Sequence, residues 1–400
     1  MDLSKVKIAK YSGQKIWMVR ASQGKYFQHF RYNNVLSIGH LDGFYEHVND
    51  GRGVPSKEEV LELMLRKPEF RDEGKGAAGK KLNGHGTSTY NQIIHFLHDV
   101  KKGDLIVTLN GSSILIGVCT SNDAFFSSDE LESSEGTSSN VKVKLDQRLR
   151  RNVMWGPAVP RSSIGGGLKK AFQSRQTVVN LTPHWIDVFG LIYPFVFDGS
   201  RLHFSTHIGL GTAINGKVIS KLFENLSNVE LIAKSLLEKN LDADFVKRLL
   251  SDDFDWDEYK VTTKAQFMSP GDIYSSAEVP LIGELLVAIK LVAIIFLVNA
   301  GVVMTSDASQ QMTASAKSSS DYSPSALIDE RNSPRLGTSN LDRMLGEALE
   351  QNSPELNKIA DEKKVQEVKS NLKITIPTYD TEILEKEGRL DVVGVKSDEK

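Results

Sequence analysis

Residues 148–175 concentrate the side chains best suited to chemistry. Arg148, Arg150 and Arg151 are followed by Trp155, and then by Arg161, Lys169, Lys170 and Arg175. Cations interleaved with an aromatic are what a protein needs to hold a phosphate backbone while stacking a base. A solvated basic face with Trp155 in the core is the other reading of the same residues. Within this stretch Gly165, Gly166 and Gly167 precede a helical run, where they either present helix amides to a phosphate or give a flexible helix entry. A second cationic segment at 74–86, GKGAAGKKLNGHG, sets Lys75, Lys80 and Lys81 among glycines that let backbone amides approach an anion. Its spacing is not the G-x-x-x-x-G-K followed by Ser or Thr of a phosphate-binding loop, so nucleotide hydrolysis is not supported.

Other reactive residue types do not assemble into a recognisable site. His85, His95 and His98 lie close in sequence, yet they lack the HExxH spacing and no carboxylate or cysteine completes a ligand set, so no metal is expected. The single cysteine, Cys119, excludes an intramolecular disulfide and fits a packing role in a cytosolic protein. Asp252, Asp253, Asp255, Asp257 and Glu258 form an acidic run without a nucleophile or a D…ExK pattern beside them, which reads as a solvated loop. No catalytic residue and no cofactor is assigned. A nuclease or hydrolase with an unread site in 181–280 is the alternative, and loss of activity on changing Asp253 or Asp255 would mark it.

The elements that must position the basic residues follow from local pattern. Strands are expected at 15–21 and 35–39, and Asn110-Gly111 reads as a hairpin turn of positive φ between strands 105–109 and 114–120. Ser56 and Glu59 fit a capping box for a helix over 57–66, and 90–100 is an amphipathic helix carrying His95 and His98. Charge divides the chain: residues 1–180 carry 26 Lys and Arg against 18 Asp and Glu, and the remainder 23 against 33. The front part is the one suited to a polyanion.

Seven segments taken in order carry a resemblance. They are Trp17-Met18-Val19-Arg20-Ala21, Val35-Leu36-Ser37-Ile38-Gly39, Gly103-Asp104-Leu105-Ile106-Val107, Ile114-Leu115-Ile116-Gly117-Val118, Arg150-Arg151-Asn152-Val153-Met154-Trp155, Pro160-Arg161-Ser162 and Ser174-Arg175-Gln176-Thr177-Val178. Together they resemble the EVE/PUA-like, YTH-related domain found at the N-terminus of Mrr-type restriction endonucleases and in phage-defence proteins. The resemblance spans residues 1–180 and implies a small β-barrel whose pocket holds a flipped, often modified base; unstacking costs only a few kcal/mol. Resemblance and charge together assign Trp17, Asn83 and Trp155 as walls or stacking groups, with Arg20, Ser37 and His40 near the mouth. Lys80, Lys81, Arg150, Arg151, Lys169, Lys170 and Arg175 would hold phosphates. Asn83 also reads as an ordinary Asn-Gly turn, and His40 stands where the family commonly has Trp. The implied function is a non-catalytic sensor of nucleic acid, modified DNA favoured, in bacterial anti-phage defence.

The overall expectation is an α+β chain: a PUA-like small β-barrel domain over 1–180, a small α+β domain over 181–279, one hydrophobic helix at 280–304, a disordered linker at 305–340 and a helical, charged tail at 341–400. The 280–304 segment, PLIGELLVAIKLVAIIFLVNAGVVM, is long enough to span a bilayer despite Glu284 and Lys290. Spanning is the preferred reading, with cytoplasmic N-terminal domains attached to the inner membrane and the helix serving an effector act. A buried core helix or a homo-oligomerising helix competes with it. Without nucleic-acid binding, a membrane-tethered adaptor for a small molecule or protein would be left.

Overall fold

A computed structural model describes residues 6–44, 53–72, 81–133, 143–161, 164, 166–208, 215–238, 241–251, 262–265, 271–279, 285–300 and 351–394. The chain forms two compact units and crosses between them four times: the first comprises Met1–Tyr11, Phe189–Thr378 and Asp391–Lys400, the second Ser12–Val188 and Tyr379–Leu390. In chain order the strands are β1 (Lys7–Lys10), β2 (Ile16–Val19), β3 (Val35–Ile38), β4 (Leu105–Leu109), β5 (Ser113–Cys119), β6 (Phe125–Phe126), β7 (Leu131–Glu132), β8 (Lys144–Leu145), β9 (Leu149–Pro160), β10 (Val178–Asn180), β11 (Phe195–Phe197), β12 (Arg201–Ile208), β13 (Thr262–Ala265), β14 (Gly271–Glu278), β15 (Ile374–Thr375) and β16 (Asp391–Gly394).

The second unit is built on a sheet of order β10-β2-β4-β5-β9-β3, with β6 also paired to β9. Its curl comes from β9, which pairs with β3 at its start (Ser37 opposite Arg150) and with β5 beyond it (Cys119 opposite Val153). The result is a curled half-barrel rather than the closed small barrel expected. Alternate residues of β2, β4, β5 and β9, among them Trp17, Ile106, Leu115, Val153 and Trp155, fill a core shared with Phe27 and Phe30 of the Phe27–Asn33 helix. The opposite face is apolar too: Met18, Val107, Ile114, Ile116 and Val118 are all buried. On that side Ile116 faces a bulge in β9, and Gly156 leaves the dent in which Leu384 of the Glu382–Gly388 helix sits; a Cβ at Gly156 would lie 3.0 Å from Leu384 Cγ.

Local signals behave as their chemistry dictates. Ser56 and Glu59 form both bonds of the capping box on the Lys57–Leu65 helix. The Asn110-Gly111 turn differs from expectation: neither residue has a positive φ. Instead the Asn110 side chain accepts from the Ser112 and Ser113 amides at 2.9 and 2.7 Å, closing the loop by side-chain hydrogen bonds.

In the first unit a hairpin followed by a helix occurs twice. β11 and β12 lead into the Gly216–Leu237 helix, and β13 and β14 lead into the Leu285–Asn299 helix. The two modules meet where β12 and β14 pair antiparallel, from Arg201 opposite Glu278 to Ile208 opposite Gly271. Leu202, Phe204, Ile208, Ile273 and Ala277 pack on the helices. At the hairpin turn Asp198 accepts from the Ser200 and Arg201 amides and pairs with His203 at 2.7 Å.

This arrangement overturns the transmembrane reading of 280–304. The helix covers Leu285–Asn299, 15 residues, which at 1.5 Å per residue is about 22 Å, short of a ~30 Å hydrocarbon layer. Among the described residues no helix is long and apolar enough to cross a membrane. Its described side chains, Lys290 included, are buried in the first unit, and the Phe296 ring stacks on Phe204 at 3.9 Å. The apolar run is a core helix, the competing reading. Residues 301–350, which include the expected linker and the start of the tail, lie outside the described residues. Over 351–394 the tail is structured: helices Ser353–Ala360 and Lys363–Leu372, β15 pairing with β12, the Glu382–Gly388 helix, and β16 pairing with β1.

Phe296→Ala should therefore cost about 3–5 kcal/mol in urea unfolding, the range for a truncated core aromatic; a lipid-facing residue would change the stability of the folded units by well under 1 kcal/mol.

Candidate nucleic-acid interface

Arg150 and Arg151 both leave β9 towards the interior and are 2 % and 0 % exposed. Arg151 Nε donates to the Phe96 carbonyl at 2.7 Å and Nη2 to the Leu97 carbonyl at 2.8 Å. Those carbonyls lie in a π-helical turn, His95–Asp99, closed by the Val100 amide on the His95 carbonyl. A π turn shifts carbonyls out of their usual pairing, and a guanidinium with several donors satisfies them. Arg150 does similar work on the other side of the strand: its Nε donates to the Gln147 carbonyl at 2.9 Å, its Nη1 to Ser127 Oγ at 3.3 Å and its Nη2 to the Asp129 carbonyl. Both arginines were expected to hold phosphates. Burial and these carbonyl bonds make them positioning residues instead.

Arg150 fixes the segment that carries Gln147, and the Gln147 side chain is the centre of a polar corner. Its Oε1 accepts from Ser37 Oγ at 2.8 Å and its Nε2 donates to Ser22 Oγ at 3.4 Å. Gly39 packs against the same amide, where a Cβ would come within 3.2 Å of Gln147 Nε2 and 2.9 Å of Asp42 Oδ2. Asp42 accepts the Arg148 amide at 3.0 Å, and burial raises its carboxyl pKa. On the far side Ser22, Gln23 and Gly24 have φ of 48°, 59° and 93°, one turn of left-handed backbone. Such a turn costs about 1–2 kcal/mol per non-glycine residue, and strain of this kind gathers at functional sites. Bonds from the Gly24 and Tyr26 amides to the Ala21 carbonyl hold it, as does Tyr26 Oη on Asp146 at 2.7 Å.

Beside the corner, cations gather at one end of the sheet. Arg20 follows β2, and its Nη2 donates to the Phe172 and Ser174 carbonyls, tying it to the segment between Lys170 and Arg175. Lys169, Lys170 and Arg175 are exposed there. Arg161, at the end of β9, donates from Nη1 to the Asn110 carbonyl at 3.0 Å. Burial lowers the Arg20 pKa and the Arg161 charge lowers it further, so the charged group acting on Arg20 is another cation. Lys81 is exposed elsewhere in the second unit, and Lys75 and Lys80 lie outside the described residues.

The remaining expected pocket residues are brought elsewhere or are already engaged. Trp17 is 2 % exposed, its Nε1 donates to Asp104 Oδ2 at 2.9 Å, and its ring lies 5.3 Å from that of His95. Trp155 is 7 % exposed and donates to the Phe30 carbonyl at 2.7 Å. Neither ring presents a face for a base, so the reading of Trp155 as a core residue describes its surroundings. Asn83 is the N-cap of the Gly84–Ile94 helix, accepting the Gly86 amide and donating to the Glu69 and Arg71 carbonyls, rather than a pocket wall or an Asn-Gly turn. Ser37 belongs to the Gln147 corner. His40 is partly buried next in sequence to Gly39; burial lowers its pKa, and so does nearby His85.

Among the described residues no group of three or more His, Cys, Asp or Glu is placed to hold a metal. His95 pairs with Asp99 at 2.6 Å and His98 with the Pro55 carbonyl at 3.0 Å. The 252–258 acidic run lies outside the described residues. Gln147, Ser22, Asp42 and Arg161 are the interface residues that sequence reading did not assign; only Arg161, as a member of the basic run, left a signal.

Comparison with family models, with curated proteins and with solved structures finds no match. The resemblance to the EVE/PUA-like domain thus rests on the seven sequence segments themselves.

Two outcomes are expected. Arg151→Leu strips the π-turn carbonyls of a charged donor and should cost about 3 kcal/mol or more in urea unfolding; a loss under 1 kcal/mol would remove its structural role. Because the folded His40 pKa is lowered, its contribution to stability is complete above the unfolded value of about 6.5 and is lost as pH falls below that value. Unfolding measured from pH 7.5 to pH 5 should show this loss, and His40→Gln should flatten it.

Proposed function

We propose that the second unit binds a nucleic-acid strand. It holds one extruded base in the corner framed by Ser22, Ser37, Gly39 and Gln147, with phosphates on Arg20, Arg161, Lys169, Lys170 and Arg175. The observation that carries this reading is that Arg161, bound to the Asn110 carbonyl, and the Ser22–Gly24 turn that follows Arg20 meet at Asn110, against which Gly24 packs. Cations gathered at one place oppose each other, and a phosphate beside them offsets that repulsion with charge-assisted bonds. The adjoining corner supplies the complementary chemistry. Beyond its bonds to Ser37 and Ser22, the Gln147 amide keeps a second N–H donor and a second carbonyl lone pair, the mixed capacity that the edge of a base requires.

Base and phosphate contacts then have separate sources. Cations at the end of the sheet set affinity and salt dependence, whereas the Gln147 corner sets preference. A role in anti-phage defence and a preference for a modified base in DNA rest on the sequence resemblance.

The test is binding of the full chain to matched duplexes with plain, methylated, hydroxymethylated or glucosylated bases over a salt series. Arg20→Ala and Arg161→Ala should each weaken binding to all duplexes alike and reduce the salt slope by about 1. Gln147→Ala should leave the slope in place and narrow the differences between duplexes. Unchanged slopes in both arginine variants, or no binding at low salt, would refute the assignment.

A further inference from the structure

The Ser22–Gly24 turn stands between the two parts of the proposed site. On one side the Ser22 hydroxyl accepts from Gln147 Nε2 at 3.4 Å, so the turn borders the polar corner. On the other, Gly24 packs on Asn110, where a Cβ would lie 3.1 Å from Asn110 Cβ, and the Asn110 carbonyl accepts from Arg161 Nη1 at 3.0 Å. Gln23 is the middle residue of the turn, exposed, with a φ of 59°.

Glutamine is a costly residue for that backbone. Glycine takes a positive φ freely, and Asn and Asp are helped there by a short side chain that bonds to the local backbone. Neighbouring bonds impose the conformation on Gln23. The Gly24 and Tyr26 amides both donate to the Ala21 carbonyl at 3.0 Å, the Lys25 amide donates to the Ser22 carbonyl at 3.1 Å, and the Phe27 amide to the Gly24 carbonyl at 3.1 Å where the Phe27–Asn33 helix begins. Strain held in this way by its surroundings gathers where a protein uses the residue that bears it.

An extruded base leaves two things behind in a duplex: a gap in the stack and an unpaired partner on the other strand. Side chains inserted between base steps fill such gaps. With the base at Gln147 and a phosphate at Arg161, the exposed residue between them is the one beside the vacated place. We propose that Gln23 enters the duplex there as a wedge, its amide bonding the edge of the orphaned partner base with the donors and acceptor that an amide carries. This rests on the reading of the Gln147 corner as the seat of an extruded base. Gln23 then sets a preference for duplex over single strand, because a single strand has neither a partner base nor a gap to fill.

The test titrates the full chain, wild type and Gln23→Gly, with the methylated duplex and with its methylated strand alone, at one salt concentration. Glycine removes the side chain and keeps the turn, since a positive φ costs it little, and urea unfolding of the variant should match or exceed that of the wild type. Affinity for the duplex is expected to fall about fivefold, what one net hydrogen bond contributes, while affinity for the single strand stays within about twofold of wild type. An equal loss on both would make Gln23 an ordinary strand contact and overturn the wedge, as would an unchanged affinity for the duplex; wild-type binding would in either case leave the nucleic-acid reading in place. No binding of either substrate by the wild type would remove that reading and the wedge with it.

Discussion

A fully buried guanidinium needs acceptors for its donors, and the second unit supplies them to Arg151. Its Phe96, Leu97 and Asn122 carbonyl partners come from two segments far apart in sequence from β9. Burial lowers the Arg151 pKa, while Cys119, Asp123 and Asp104 favour its charged form. The π-helical turn and the buried cation are thus one feature: the turn frees carbonyls that only a rigid, multiply donating side chain can reach. Replacing either alone leaves polar groups in an apolar interior, where each costs about 1–3 kcal/mol.

Several other features follow from fixing β9 in this way. Arg150, next along the strand, points to the opposite side and braces the Gln147 segment. Trp155 reaches over Gly117, where a Cβ would be 2.6 Å from its ring, and bonds to the Phe30 carbonyl, locking the Phe27–Asn33 helix onto the sheet. Beyond it, Arg161 bonds to the Asn110 carbonyl, beside Gly24 of the turn that follows Arg20. Gln147 and Arg161, which flank β9 at its two ends, are thus placed by one strand whose buried residues brace it.

Much of this was legible in the sequence, but not the division of labour. The capping box and the β4–β5 hairpin are written in short-range pattern, and the structure contains them. The basic run 148–175 was visible as charge. Burial was not: Arg150 and Arg151 look like surface cations because composition does not reveal the carbonyls that a π turn will free. The 285–299 segment is apolar on every side, a pattern common to a membrane span and an enclosed core helix. Length and the Phe204 stack decide between them. A helical, charged tail did not foretell β16, because strands as short as β1 and β16 gain their order from pairing with one another and, for β1, with β11. The doubled hairpin-and-helix module of the first unit shows no sequence repeat because only apolar positions need recur.

We propose that the corner around Gln147 receives a base drawn out of its stack. The most direct measurement is the fluorescence of 2-aminopurine placed at the target position of a duplex, titrated with the full chain and with Gln147→Ala. Unstacking relieves quenching, so the account predicts a rise in emission on binding that the variant reduces while remaining bound. Tight binding with no change in emission would contradict it, and would make the interface one for phosphates alone.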